Sequence, residues 1–144
     1  MSVIIEFFVA PSHEAAAAVV NGGPCGVFAS LSSGNFDVEE ALIEWETIFT
    51  GRSHDELVAA GEHEAVADPG GGGPVVLVVS RPLQNALAVA GPSRLIDVCR
   101  LWVQTRAADG EVLDNEIVAQ LLRDLARLAH DIGRRGHRLY CWLA

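Results

Sequence analysis

Histidines and carboxylates gather in one stretch of the 144-residue chain, as His54-Asp55-Glu56 and then Glu62-His63-Glu64. Imidazole with carboxylate is a common donor set for Zn²⁺ and also a common acid–base pair. One reading is therefore a small hydrolase or metal-dependent enzyme using His54, His63 and the nearby carboxylates. The spacing does not favour it, because a single short helical pattern separates the two histidines and matches no ligand motif. Ser53 has the form of a helix cap, which makes His54 the first helical residue, an ordinary place for a polar side chain. An exposed polar surface is the preferred reading, and no catalytic residue, metal or cofactor is assigned.

Cys25 lies in the turn Gly22-Gly23-Pro24-Cys25-Gly26. A nucleophilic thiol needs a base or a helix N-terminus to lower its pKa. The sequence places neither beside it, so Cys25 reads as a turn residue, while Cys99 and Cys141 fall inside apolar patterns and read as core. Gly70–Gly73 invites comparison with a phosphate loop. Such a loop follows a strand and opens a helix. Here the glycines precede the apolar run Val75–Val79 and no Gly-Lys-Ser/Thr follows, so nucleotide binding by this element is rejected.

Two charged faces remain. Arg123, Arg127, His130 and Arg134 recur at helical spacing, with Arg135 and Arg138 immediately after. Arg123, Arg127 and Arg134 are the candidates for an anion-binding face, set against a plainly solvated helix side. On the helix over 37–50, Glu39, Glu40, Glu44 and Glu46 are assigned to the polar side, and Ile43 lies with them. An apolar residue ringed by carboxylates has the make-up of an anchor for a protein partner. The alternative is that the segment 53–60 folds over Ile43 and buries it. Arg81 and Arg94 stand at helix starts, where the macrodipole disfavours cations, which suggests that one of them serves a carboxylate.

The elements that must position these groups follow from periodicity. Val3–Val9 is a β-branched and aromatic run and predicts a central strand. Ser12 caps a short Ala-rich helix through Val20, and Gly26–Leu31 is a short strand. Asp37 with Glu40 forms a capping box, Gly51 is a C-cap, and Val38, Ala41, Leu42, Trp45, Ile48 and Phe49 make one apolar stripe between them. Ser53 with Glu56 opens a second helix ending near Gly61. Val75–Val79 is a strand, and Pro82 suits the first turn of a helix. Ser93–Arg106 is a helix with Leu95, Ile96, Cys99, Trp102 and Val103 inward. Asp114 opens a long helix to about Ile132, whose apolar arc runs from Ile117 to Ile132. Leu139–Leu143 closes the chain as a strand. The expectation is one α+β domain over 1–144, a small mixed sheet of three to four strands packed with about five helices, and a Gly-rich loop at 68–74.

Composition narrows the classes. Half of the residues are hydrophobic, which excludes a disordered chain. No apolar run approaches the ~20 residues needed to span a bilayer, and the N-terminus has no basic region of the signal-peptide kind. The expected location is cytoplasmic, with no membrane partner. Three cysteines without CxxC spacing predict reduced thiols. All ten basic residues are arginine, and the net charge is -9. Residues 1–73 hold twelve acids and only Arg52, giving -11, while 74–144 hold seven acids and nine arginines, giving +2. A nucleic-acid partner is not expected from a chain of this charge whose arginines have no interleaved aromatics.

Three segments carry a family resemblance: IEWETIFTG around Trp45, AVAGPSRLIDVCRLW, and QLLRDLARLAHDIGRRGHRLYCWLA at the end. They resemble the YfbM-like family of uncharacterised bacterial proteins over about half the chain, with Gly91-Pro92-Ser93-Arg94 the most specific element. The Gly-Met start and the Tyr-Pro element of that family are missing here, and the middle segment is shortened. The resemblance implies an α+β fold and carries no activity to any residue. The functional expectation is a small acidic protein-binding module of the immunity or antitoxin sort, contacting a basic protein partner through Glu39, Glu40, Ile43, Glu44 and Glu46.

Overall fold

The computed structural model describes residues 4–33, 36–61, 63–132 and 136–144. In chain order the elements are β1 (Ile5–Ala10), α1 (His13–Ala17), β2 (Ser30–Ser33), α2 (Val38–Thr50), α3 (His54–Ala60), β3 (Ala65–Ala67), β4 (Val75–Val78), α4 (Arg81–Val89), α5 (Pro92–Ala108), α6 (Asn115–Ile132) and β5 (Arg138–Leu143). The five strands form one sheet in the order β2-β1-β5-β4-β3, with every neighbouring pair antiparallel. The fold is α+β, as expected, but among the described residues it has five strands and six helices, and the sheet is antiparallel throughout where a mixed one was expected. No described helix is long and apolar enough to cross a membrane.

Side chains alternate across each strand, and both sheet faces are apolar at the centre. Ile5, Phe7, Leu77, Leu139 and Cys141 face the larger core, shared with α2, α4, α5 and α6. There Trp45 and Trp102 meet edge to face at 5.1 Å, with Phe36 5.9 and 5.6 Å from them and Phe7 6.2 Å from Trp45. Phe8, Ala10, Val76, Val78, Tyr140 and Trp142 face the other way, beneath α1 and Phe28. The last strand in sequence, β5, therefore sits at the centre of the sheet. It pairs Phe7 with Cys141 on one side and Leu77 with Cys141 on the other.

Several expectations are corrected. α1 ends at Ala17, and hydrogen-bonded turns carry the chain on to Gly23. The strand expected at 26–31 lies at Ser30–Ser33, an edge position where polar residues suffice because only β1 pairs with it. β3 has three residues and an irregular register, too short to leave a pattern. Ile96 and Ile117 were expected inward, yet each is 62% exposed. The buried stripes of α5 and α6 run through Leu95, Val98, Cys99, Trp102 and through Val118, Leu121, Leu122, Leu125. One residue is about 100° of helix rotation, enough to carry a neighbour out of such a stripe.

Because β5 is antiparallel to both β1 and β4, those two strands run in the same direction. Their C-terminal ends and the first residue of β5 lie at one end of the sheet. Each strand there turns into a helix through a capping serine, Ser12 before α1 and Ser80 before α4.

Candidate functional site

The α2 carboxylates divide by their position around the helix. Glu46 is wholly buried, next to Trp45 in sequence and one turn from Leu42, and not on the polar side. The Ser80 hydroxyl donates a short hydrogen bond to its Oε1, His63 Nε2 lies 3.0 Å from the same oxygen, and Arg52 reaches Oε2 at 3.4 Å. The backbone N–H of Ser80 donates to His63 Nδ1 at 3.2 Å. That donor fixes the imidazole as the neutral tautomer with its proton on Nε2, directed at the carboxylate. Ser80 Oγ also accepts from Leu83 N as the cap of α4. One carboxylate thus ties α2 to the α3–β3 connection and to the β4–α4 turn.

This cluster holds serine, histidine and glutamate, but not in a nucleophile–base–orienter relation. In that relation the hydroxyl donates to an imidazole nitrogen, and the carboxylate holds the other nitrogen. Here Ser80 donates to Glu46 and both ring nitrogens of His63 are committed. His54 is elsewhere, exposed and 3.1 Å from Glu40. Among the described residues no three histidine, cysteine, aspartate or glutamate side chains converge to hold a metal ion.

Glu44 turns toward α5. Trp102 Nε1 donates to its Oε1 at 3.1 Å and Arg106 to its Oε2 at 2.5 Å, and Arg106 also meets Asp109 at 2.7 Å and Glu111 at 3.6 Å. Burial alone would lower the Arg106 pKa, but the three carboxylates outweigh it and raise it. Arg94, one of the two helix-start arginines of which one was expected to serve a carboxylate, donates to the carbonyls of Ile48 and Phe49 at the end of α2 and lies over the Phe49 ring. A cation at those carbonyls suits the negative end of that helix.

Glu39 and Ile43 come together elsewhere, in a cleft of roughly 230 Å³ between α2, α3 and the sheet. Its floor is Ile43, Leu57 and Leu77, with Val58 and His63 at the sides and Glu39 on the rim. The segment over Ile43 therefore does fold back, but it leaves Ile43 half-buried, with Val58 55% exposed beside it. Glu39 is exposed and has no partner among the described residues; Glu40, Asp55 and Glu56 lie around the same helix starts.

Arg123 and Arg127 are exposed on α6, as expected of a polar face, and each is held by its own helix. Arg123 bonds Gln120 at 2.8 Å and Arg127 pairs with Asp124 at 3.5 Å. Arg134 lies outside the described residues. Arg123 also lines a groove of roughly 800 Å³ between α5 and α6, with Ile96 and Ile117 exposed along it. Cys99 is buried beside that groove, and burial raises its pKa against the pull of Arg123.

Sequence reasoning missed the Glu46–Ser80–His63 cluster and the face around Tyr140. A signal for the first is partly present in the sequence: Ser80 stands two residues before Pro82, where a helix cap belongs, and Glu46 follows Trp45 of the buried stripe. Comparison with protein-family models, with curated proteins and with solved structures found no match. The resemblance to the YfbM-like family gains nothing from these comparisons, and the geometry alone carries the functional reading.

Proposed function

We propose that the protein is a non-catalytic binding module that captures a basic protein partner, in the manner of an immunity protein or antitoxin. The observation that supports this reading is the cleft between α2 and α3, with its apolar floor of Ile43 and Leu57 and, on its rim, Glu39, which has no partner among the described residues. An arginine or lysine of a partner would lay its aliphatic stem on that floor and present its charge to the rim. The contact narrows from the five α2 residues to Glu39, Glu40 and Ile43, because Glu44 and Glu46 are spent inside the protein. The -9 charge adds long-range steering toward a basic partner.

The test is affinity capture from the native host at low salt, with wild type beside Glu39→Arg/Glu40→Arg. The expected result is a basic protein retained by wild type, with affinity falling steeply as salt rises and weakened about tenfold or more by the double reversal. Absence of any basic partner at low salt, or a partner held equally by the reversed protein, would overturn the reading.

A further inference from the structure

At the end of the sheet where β1 and β4 finish and β5 begins, the charge is of the opposite sign. Arg138 and Tyr140, two residues apart on β5, point to the face beneath α1. The Arg138 guanidinium donates to the carbonyl of Val79 at 2.8 Å, which lays it over the turn that leads into Arg81. Its Nε is buried and has no hydrogen-bond partner among the described residues. Tyr140 is fully buried, but its hydroxyl reaches His13 Nδ1 at 2.7 Å, and His13 is exposed at the start of α1.

Among the described residues no carboxylate pairs with either arginine here, and the Glu46 carboxylate at the same turn is taken up by Ser80, His63 and Arg52. Arg52, Arg100, Arg106 and Arg127 each pair with an acid, whereas among the described residues neither Arg81 nor Arg138 has one. Burial and then the neighbouring Arg81 lower the Arg138 pKa, with Tyr140 opposing them, and Arg138 and Arg81 both act on Tyr140. Two guanidiniums that repel each other, one half-buried and the other at the first residue of α4 where the macrodipole adds positive potential, are an unfavourable arrangement. In a chain of net charge -9 it stands out as a local excess of positive charge. An anion would relieve it, and planar guanidiniums match a tetrahedral oxyanion with paired hydrogen bonds.

We infer that Arg81, Arg138, His13 and Tyr140 form a binding site for a phosphoryl oxyanion, as inorganic phosphate or a phosphomonoester. Arg81 and Arg138 supply the charge, and His13 with Tyr140 supplies a polar wall. The site is distinct from the α6 arginines and from the α2–α3 cleft.

Calorimetric titration with inorganic phosphate, against sodium chloride of equal ionic strength, tests it. Wild type is expected to bind saturably. Arg81→Gln, at an exposed position, is expected to weaken binding about tenfold while leaving the thermal midpoint near that of wild type, and Arg138→Gln to weaken it by at least as much. Arg127→Gln is expected to bind like wild type. The single tyrosine reports on the site directly, so phosphate is also expected to perturb its ultraviolet absorbance. Glycerol phosphate separates the two sources: binding as tight as phosphate means an open site for a phosphorylated molecule, and binding of phosphate alone means a closed ion site. No saturable binding by wild type, or equal affinity in Arg81→Gln, would overturn the inference.

Discussion

At the scale of single residues, the chemistry of Glu46 is decided by what surrounds it. A buried carboxylate is costly unless its oxygens are satisfied, and here Ser80, His63 and Arg52 satisfy them. Glu46→Ala would leave the Ser80 hydroxyl and the His63 N–H without their acceptor in a dry site. Each unsatisfied buried group costs about 1–3 kcal/mol, so a loss of about 3 kcal/mol is expected in urea unfolding. Glu39→Ala, at an exposed position, is expected to change stability by less than about 0.5 kcal/mol. A loss below about 1 kcal/mol for Glu46→Ala would show that the cluster does not hold α2 to the sheet. Sequence could not separate Glu46 from Glu39 by residue type. Position on the helix does so, since Glu46 follows Trp45 and borders the apolar stripe that the periodicity had already marked.

At the scale of elements, signals that are local in sequence were legible and those made by the sheet were not. The Asp37 and Ser53 side chains cap α2 and α3, and Gly51 closes α2 in the left-handed conformation at φ +79. These features are written in neighbouring residues, as are the apolar runs of β1, β4 and β5. β2 and β3 are held as edge strands by their partners, so SLSS and AVA carry no period of their own. The sites follow the same division. Glu39 and Ile43 are one turn apart and could be grouped by eye, whereas Arg138, Arg81 and His13 are joined only by strand pairing. Gly23 is a further case in which a distant residue decides a local one. It has φ +83 and a side chain there would meet the Trp142 ring at 3.1 Å, while its neighbour Gly22 has open space. Gly23→Ala is expected to cost at least 1–2 kcal/mol for the backbone alone, with the ring contact adding to it. Gly22→Ala is expected to be neutral or to stabilise by up to about 1 kcal/mol. Equal thermal shifts for the two variants would mean that the Trp142 contact and the turn are not maintained in solution.

At the scale of the molecule, the -9 charge resolves into an acidic surface and an internal seam. The Glu44–Arg106 pair joins the acidic first half to the arginine-bearing second half where α2 packs on α5. Three groups whose protons are held more tightly by burial, Cys99, Tyr140 and Cys141, lie inside. Burial raises the pKa of Cys141 well above its ordinary value and raises that of Cys99. Burial also raises Tyr140, with Arg138 and Arg81 opposing. Each of these groups is neutral when protonated and holds its proton more tightly folded than unfolded. The unfolded chain therefore binds fewer protons across the interval between the two pKa values, so stability falls as pH rises. This contribution is fully present below the unfolded values, about 8.5 for cysteine and about 10 for tyrosine, and is lost as pH climbs through the raised folded values. Urea midpoints are thus expected to hold steady up to about pH 8 and to decline progressively above about pH 9. Cys141→Ala, though less stable at neutral pH for its lost packing, is expected to show a shallower alkaline decline, because one of the three protons is no longer at stake. Below the transition, a thiol reagent is expected to label the exposed Cys25 rapidly and Cys99 and Cys141 only as the protein unfolds. A midpoint unchanged to about pH 10.5, or labelling of all three thiols at one rate in the folded protein, would mean that the sheet centre around Cys141 and Tyr140 is open to water.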